Sequence, residues 1–245
     1  MRVEDASNYS YYRGNEKPVN PNPPMNSLET PRIASVLSDL HVRASRDWRV
    51  LPRALPAVIG GALRGRTAME SAKPHLKDAF IPVDPAQGRA LYQFARARRA
   101  RHIVEFGASF GISTIYLAAA VRDNGGGRIV TTEIEPGKIE RAREHWRRAG
   151  VDPEIQLLEG DALQTLRLVS QPIDLLFLDG WKDACLPVLQ LLEPHLAPGA
   201  CIFCDDVKAF RKTLQPYVDY VRSRPLNYVS LQLPLGDGLE FSVVV

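Results

Sequence analysis

From residue 102 onward the apolar positions of this chain alternate between two rhythms. Short, nearly continuous apolar runs have the pattern of strands buried on both faces of a parallel sheet. They cover His102 to Gly107, Arg128 to Ile134, Glu154 to Gly160, Ile173 to Leu178 and Ala200 to Cys204. Between them lie stretches with helical periodicity: Ile112 to Arg122, Pro136 to Ala149 ahead of Gly150, Ala162 to Val169, the stretch after Leu178 to about His195, and Lys208 to Arg224. Strand–helix alternation at this spacing predicts a parallel sheet covered by helices on both faces. The end departs from it. Asn227 to Leu235 and Leu239 to Val245 are both β-rich, and only Gly236-Asp237-Gly238 separates them. So short a link holds no crossover helix, so the two form an antiparallel hairpin. The predicted class is α/β, a seven-stranded sheet with one reversed strand.

Upstream, three regions differ in character. Residues 1–31 carry Pro18, Pro21, Pro23, Pro24 and Pro31 among polar residues, the composition of a flexible tail or, alternatively, of a lid over substrate. Residues 32–83 form an N-terminal helical extension, read as a lid or substrate region. Thr30-Pro31 provides its helix start, and Ile33, Val36, Leu37 and Leu40 make an apolar face. Arg43, Arg46, Arg49 and Arg53 continue as a solvated stripe, whereas Leu55 to Thr67 with its glycines reads as a loop or broken helix. Residues 84–245 make the catalytic unit, opening on a helix with Asp84 as cap and Pro85 in the first turn. Arg96, Arg98, Arg99 and Arg101 at its end suit the helix dipole.

Size and charge narrow the function classes. A chain of 245 residues with 45% hydrophobic and 24% charged residues buries one core, and a formal charge of +3 is too small and scattered to mark a nucleic-acid binder. No apolar stretch reaches the roughly 20 residues of a membrane span, and the N-terminus lacks a signal-peptide pattern. Cys185, Cys201 and Cys204 build no disulfide framework and point to a reducing cytoplasm. Cys201 and Cys204, three apart on a strand, face opposite ways and suit neither zinc nor a disulfide. His41, His75, His102, His145 and His195 all miss the strands' carboxyl ends and receive no catalytic role.

In open α/β sheets ligands sit beyond the carboxyl ends of the strands, and polar residues collect there. Val104-Glu105-Phe106-Gly107-Ala108-Ser109-Phe110-Gly111 passes from strand to helix through G-x-x-x-G. This is not the G-x-G-x-x-G that cradles a pyrophosphate, so a cofactor without phosphates, an adenosyl sulfonium, is favoured over a nicotinamide dinucleotide. Glu105, Gly107, Ala108, Ser109, Gly111 and Ser113 are its candidate contacts. Glu133, ending the second strand, suits the two hydroxyls of a ribose. Asp161, with Ala162 on the same rim, either receives the adenine amine or caps the next helix.

Asp179 ends the fourth strand, and Asp205 and Asp206 end the fifth. On neighbouring strands about 4.8 Å apart, three carboxylates would converge and repel unless a proton or cation lies between them. An all-oxygen cluster of this kind suits Mg²⁺; the alternatives are Asp206 as a helix cap and Asp179 as a cofactor contact. Lys182, three residues beyond Asp179, can serve as a general base, since a cation or a dry cleft nearby favours loss of its proton. Trp181 offers a flat face to a cofactor or sulfonium, or fills the core.

The stretch Phe177-Leu178-Asp179-Gly180-Trp181-Lys182-Asp183 resembles the catechol O-methyltransferases, as do the glycine turn and Thr132-Glu133-Ile134-Glu135-Pro136. The resemblance spans about residues 80–245. It implies the Rossmann-like class I methyltransferase fold and S-adenosylmethionine as cofactor, with Glu133 on the ribose and Trp181 packed on the cofactor. It further implies Mg²⁺ held by Asp179, Asp205 and Asp206, and Lys182 taking the proton from a catechol-like hydroxyl. Gly180 stands where the mammalian enzyme has histidine, and Asp206 where the family usually has asparagine. The partner expected is a small hydroxylated molecule, with neither nucleic acid nor membrane, and the assembly considered is a homodimer. A metal-independent methyltransferase and a non-catalytic cofactor-binding protein are the alternatives.

Overall fold

The computed structural model describes residues 26–47 and 83–245. The tail up to residue 25 and the loop or broken helix expected at Leu55 to Thr67 lie outside the described residues. Strands β1 (His102–Phe106), β2 (Arg128–Glu133), β3 (Ile155–Glu159), β4 (Ile173–Leu178), β5 (Leu196–Cys204), β6 (Tyr228–Leu233) and β7 (Leu239–Val244) form one sheet. Its order is β3-β2-β1-β4-β5-β7-β6. β1 to β5 pair in parallel, and β7 runs antiparallel to both β5 and β6. The reversed terminal hairpin forms as expected, across a link of residues 234–238 that is too short for a crossover helix. The helices are α1 (Pro31–Asp47), α2 (Pro85–Arg98), α3 (Ile112–Asp123), α4 (Pro136–Ala149), α5 (Ala162–Thr165), α6 (Cys185–Leu192) and α7 (Arg211–Arg222).

Alternation along each strand divides the core in two. Ile103, Leu175, Phe177, Cys201 and Phe203 pack toward α1, α2, α3 and α4. Val104, Leu176, Leu178, Ile202 and Cys204 pack toward α5, α6 and α7. Cys201 and Cys204 thus lie on opposite faces, and all three cysteines are free and buried. Phe203 stacks on Phe241 of β7 at 4.8 Å between ring centroids, and Phe94 of α2 meets Phe241 at 4.6 Å. Helix α2 is thereby fixed over the junction of β5 with the hairpin. Among the described residues no helix is long and apolar enough to cross a membrane.

Several boundaries differ from the sequence pattern. Residues 26–30, placed in the tail, are docked: Ser27 donates its backbone N–H to Asp123 at 2.9 Å, and Leu28 is buried. Thr30 precedes α1, and its hydroxyl donates backward to the Ser27 carbonyl at 2.7 Å. The apolar face of α1 is buried as expected, and Arg32 donates to the Arg147 and Arg148 carbonyls at the end of α4. Strand β5 begins at Leu196, earlier than Ala200, because Leu196 already pairs with Ile173. The Pro198-Gly199 turn becomes an irregularity inside the strand. Asp84 caps α2 as expected. The arginines after it reach beyond their own helix: Arg98 donates to the Pro198 carbonyl and Arg101 to that of Gly126.

Candidate functional site

The chain reverses direction across the sheet between β1 and β4, which pair directly, and a crevice opens beyond the carboxyl ends of strands at such a point. β1 leads into a turn with Gly107 at φ 98°, Ser109 at φ 48° and Gly111 at φ 81°. A Cβ at Gly107 would lie 2.7 Å from the Gly180 backbone and 2.9 Å from the Asp179 carbonyl, so only glycine lets the β1 and β4 turns approach this closely. Gly111 is required by a side chain: the Trp146 indole of α4 occupies the space of a Cβ and donates to the Gly111 carbonyl at 3.1 Å.

Ala108 donates its N–H to the Thr132 carbonyl at 2.8 Å, and Ser109 donates its own to Glu133 Oε2 at 2.8 Å. Glu133 Oε1 accepts from the N–H groups of Ile134 and Glu135. The carboxylate expected to meet a ribose is therefore pinned by three backbone donors. It has about four acceptor sites, so capacity for a hydroxyl remains. Beside it, Glu105 is wholly buried. Its Oε2 accepts from the Thr114 and Thr131 hydroxyls at 2.6 Å each, while Oε1 has no hydrogen-bond partner among the described residues. Burial pushes this carboxyl up to about 6, against the pull of the Ser113, Thr114 and Thr131 hydroxyls. A buried acceptor without a donor, next to a turn with no room for a side chain at Gly107 or Gly111, fits a ligand bearing an amine or hydroxyl.

Farther along the rim, Asp161 caps α5, accepting from the Leu163 N–H at 2.9 Å. The capping alternative is thus present for this residue, with Ala162 buried behind it. Trp181 is half-buried where β4 turns into a single 3₁₀ turn, Lys182–Ala184. A Cβ on Gly180 would meet the Phe106 ring at 2.5 Å. The phenyl group at 106 and a histidine at 180 would compete for one space, which accounts for the glycine here.

Strands β4 and β5 are neighbours, and the Asp205 N–H donates to the Leu178 carbonyl at 3.0 Å. Asp179, Asp205 and Asp206 each bring one carboxylate oxygen within 4.8 Å of the others. Lys182 Nζ lies 2.7 Å from Asp179 Oδ1 and 2.8 Å from Asp206 Oδ2. Asp206 is consequently no helix cap; α7 starts later, at Arg211. Burial raises the Asp205 carboxyl to about 8, and the charges on Asp179 and Asp206 add to the effect. Burial also opposes the ammonium form of Lys182, but Asp179 and Asp206 outweigh it and hold the amine well above its ordinary range. With the protein's own charges alone, the lysine retains its proton. Three converging carboxylates are an oxygen donor set that Mg²⁺ fits.

One residue of the cluster was not read as functional from the sequence. Gln87 of α2 is buried, and its Nε2 donates to Asp205 Oδ1 at 2.6 Å. Its Oε1 accepts from the Asp84 N–H at 3.0 Å, completing a capping box. The D-x-x-Q spacing signals that box, whereas the link to Asp205 exists only once α2 packs across β5.

Residues 104–207 match the model of a family described as a methyltransferase domain. The chain is 38% identical over 128 residues to a catechol O-methyltransferase of Mycobacterium tuberculosis, covering 52% of this chain and 57% of that protein. It is 30% identical over 208 residues to catechol O-methyltransferase B of Danio rerio, covering 78% of this chain and 77% of that one. The O-methyltransferase TomG of Streptomyces achromogenes, solved with S-adenosylmethionine, superposes with a TM-score of 0.61 at 26% identity, covering 72% of this chain and 87% of that one. A cofactor-bound Mycobacterium tuberculosis structure reaches 0.62 at 25% identity, covering 88% and 97%. On these similarities, this chain belongs to the class I S-adenosylmethionine-dependent O-methyltransferases.

Proposed function

We propose that the protein transfers a methyl group from S-adenosylmethionine to a hydroxyl of a small catechol-like molecule, with Mg²⁺ in the site. The observation that carries this reading is the meeting of Asp179, Asp205 and Asp206 around Lys182, one glycine turn away from the buried, unpartnered Glu105 oxygen. Glu105, Gly107, Ala108, Ser109, Gly111, Ser113, Glu133, Asp161, Ala162, Asp179 and Trp181 would hold the cofactor, which supplies the activated methyl group. Asp179, Asp205 and Asp206 would hold Mg²⁺, which supplies charge compensation for an oxyanion.

The chain's own residues then have distinct tasks. Lys182 takes the proton of the substrate hydroxyl. As an ammonium paired with Asp179 and Asp206 it cannot, so it must first give its own proton to solvent, a loss those carboxylates oppose. Competition for the same oxygens is what would release it. The half-buried Trp181 and the rim around it exclude water and orient the acceptor, so positioning and electrostatics contribute most of the rate. Three free, buried thiols support a reducing compartment such as the cytoplasm.

A metal-independent transferase is the second reading, favoured by one observation: the Lys182 ammonium already bridges two of the three carboxylates. Titration with S-adenosylhomocysteine, followed by methyl transfer to catechol-like acceptors with and without EDTA, separates the two. Activity abolished by EDTA and restored by Mg²⁺ is expected. Activity that survives chelation favours the second reading, and absence of S-adenosylhomocysteine binding overturns both.

A further inference from the structure

We infer that Gln87 and the Gly236 turn of the terminal hairpin form a two-sided brace that orients Asp205 for a divalent cation, with Gln87 as a positioning residue. The inference rests on the proposal that Asp205 is a cation ligand.

Its first support is the bonding of Asp205 itself. Oδ1 accepts two hydrogen bonds, from Gln87 Nε2 at 2.6 Å and from the Asp206 N–H at 2.7 Å. Two donors on one oxygen fix the rotation of the carboxyl group, and with it the direction of Oδ2. The partners of Gln87 also decide its amide orientation. The Asp84 N–H requires an acceptor and the Asp205 carboxylate a donor, so neither is satisfied if the amide turns over. Glutamate has no donor to offer, and methionine offers neither group.

The second support comes from the far side. A Cβ on Gly236 would lie 2.6 Å from Gln87 Cδ and Nε2 and 2.7 Å from Oε1. The hairpin turn is therefore seated on the amide. The same turn grips the loop that follows Asp205: Val207 donates to the Gly238 carbonyl and Lys208 to that of Asp237, both at 2.9 Å. Between these anchors Asp206 adopts φ 66°. A non-glycine residue persists in that region when its surroundings over-determine it, and asparagine and aspartate tolerate it best. The hairpin thus supports the loop that carries two of the three carboxylates.

The test compares full-length wild type with Gln87→Glu, Gly236→Ala and Asp84→Ala. Measurements are the Mn²⁺ dissociation constant with saturating S-adenosylhomocysteine, the S-adenosylhomocysteine dissociation constant without metal, and the melting temperature. Partners that orient metal ligands are worth about 10–100-fold in affinity. Gln87→Glu retains the acceptor for the Asp84 N–H but loses the donor, so Mn²⁺ binding weakens by about 10–100-fold while S-adenosylhomocysteine binding stays within about twofold. Gly236→Ala displaces the amide from outside the helix and weakens Mn²⁺ in the same direction. It also serves if Gln87→Glu does not fold. Asp84→Ala removes the side-chain cap without touching Asp205; it lowers the melting temperature and leaves Mn²⁺ affinity near wild type. The inference is overturned if Gln87→Glu, or in its place Gly236→Ala, binds Mn²⁺ as wild type does. It is equally overturned if Asp84→Ala weakens Mn²⁺ as much as they do, since helix stability would then be the cause. A wild type that binds no Mn²⁺ overturns the cation reading along with it.

Discussion

Replacing Glu105 with glutamine should make the cofactor-free protein less sensitive to pH while impairing its ligand. Glu105 is wholly buried, and its carboxyl is raised from 4.5 to about 6, chiefly by burial. The folded state therefore holds this proton more tightly than the unfolded chain. Its contribution to stability is complete below pH 4.5 and is lost as pH rises through 6. At about 1.4 kcal/mol per pH unit, a gap of about 1.5 converts to about 2 kcal/mol. Glutamine stays neutral throughout and keeps an oxygen for the Thr114 and Thr131 hydroxyls, which donate at 2.6 Å. Urea unfolding of both proteins between pH 4.5 and 8 measures the difference, in which groups common to both, such as Asp205, largely cancel. The variant should gain about 2 kcal/mol on wild type over that range. With S-adenosylhomocysteine the order reverses. Losing a charged acceptor worth about 1.5–3 kcal/mol weakens binding by about 10–100-fold. Parallel stability curves would show that Glu105 carries no such proton, and unchanged ligand affinity would remove it from the cofactor site.

Three further outcomes probe other parts of the molecule. Lys182→Met should lower the methyl-transfer rate by about 10²–10⁴, the range of a lost general base, with S-adenosylhomocysteine affinity by calorimetry little changed; wild-type turnover would refute the assignment. Gly107→Ala places a Cβ 2.7 Å from the Gly180 backbone at φ 98°, so cofactor binding should be lost and stability reduced by about 1–3 kcal/mol in thermal unfolding. Arg222→Ala strips the partner from Glu240, a fully buried carboxylate held through two 2.7 Å bonds. A fully buried pair would cost about 3–5 kcal/mol to break; because Arg222 is half-exposed, about 2–3 kcal/mol is expected from urea unfolding.

Much of this protein is determined by the order of its residues alone. Apolar runs bounded by glycine and polar turns specify the central strands β1, β4 and β5, because a strand buried on both faces must be apolar along its length. The short link around Gly236 forces the hairpin, because no helix fits in it. The strand-end residues Glu133, Asp179 and Asp205 are legible because a parallel sheet delivers every carboxyl end to one rim. What required tertiary structure is which neighbour each of these groups meets. Asp206 pairs with Lys182, a contact made across elements. Phe106 fills the space beside Gly180, and Trp146 the space beside Gly111. The proton on Lys182 is decided by two carboxylates from different strands outweighing burial. Gln87 reaches Asp205 only through the packing of α2 over β5, more than a hundred residues away in sequence. Local pattern specifies the backbone, since its hydrogen bonds and buried faces repeat with regular periods; the charge state and aim of each site residue depend on contacts that have no period and arise only on folding.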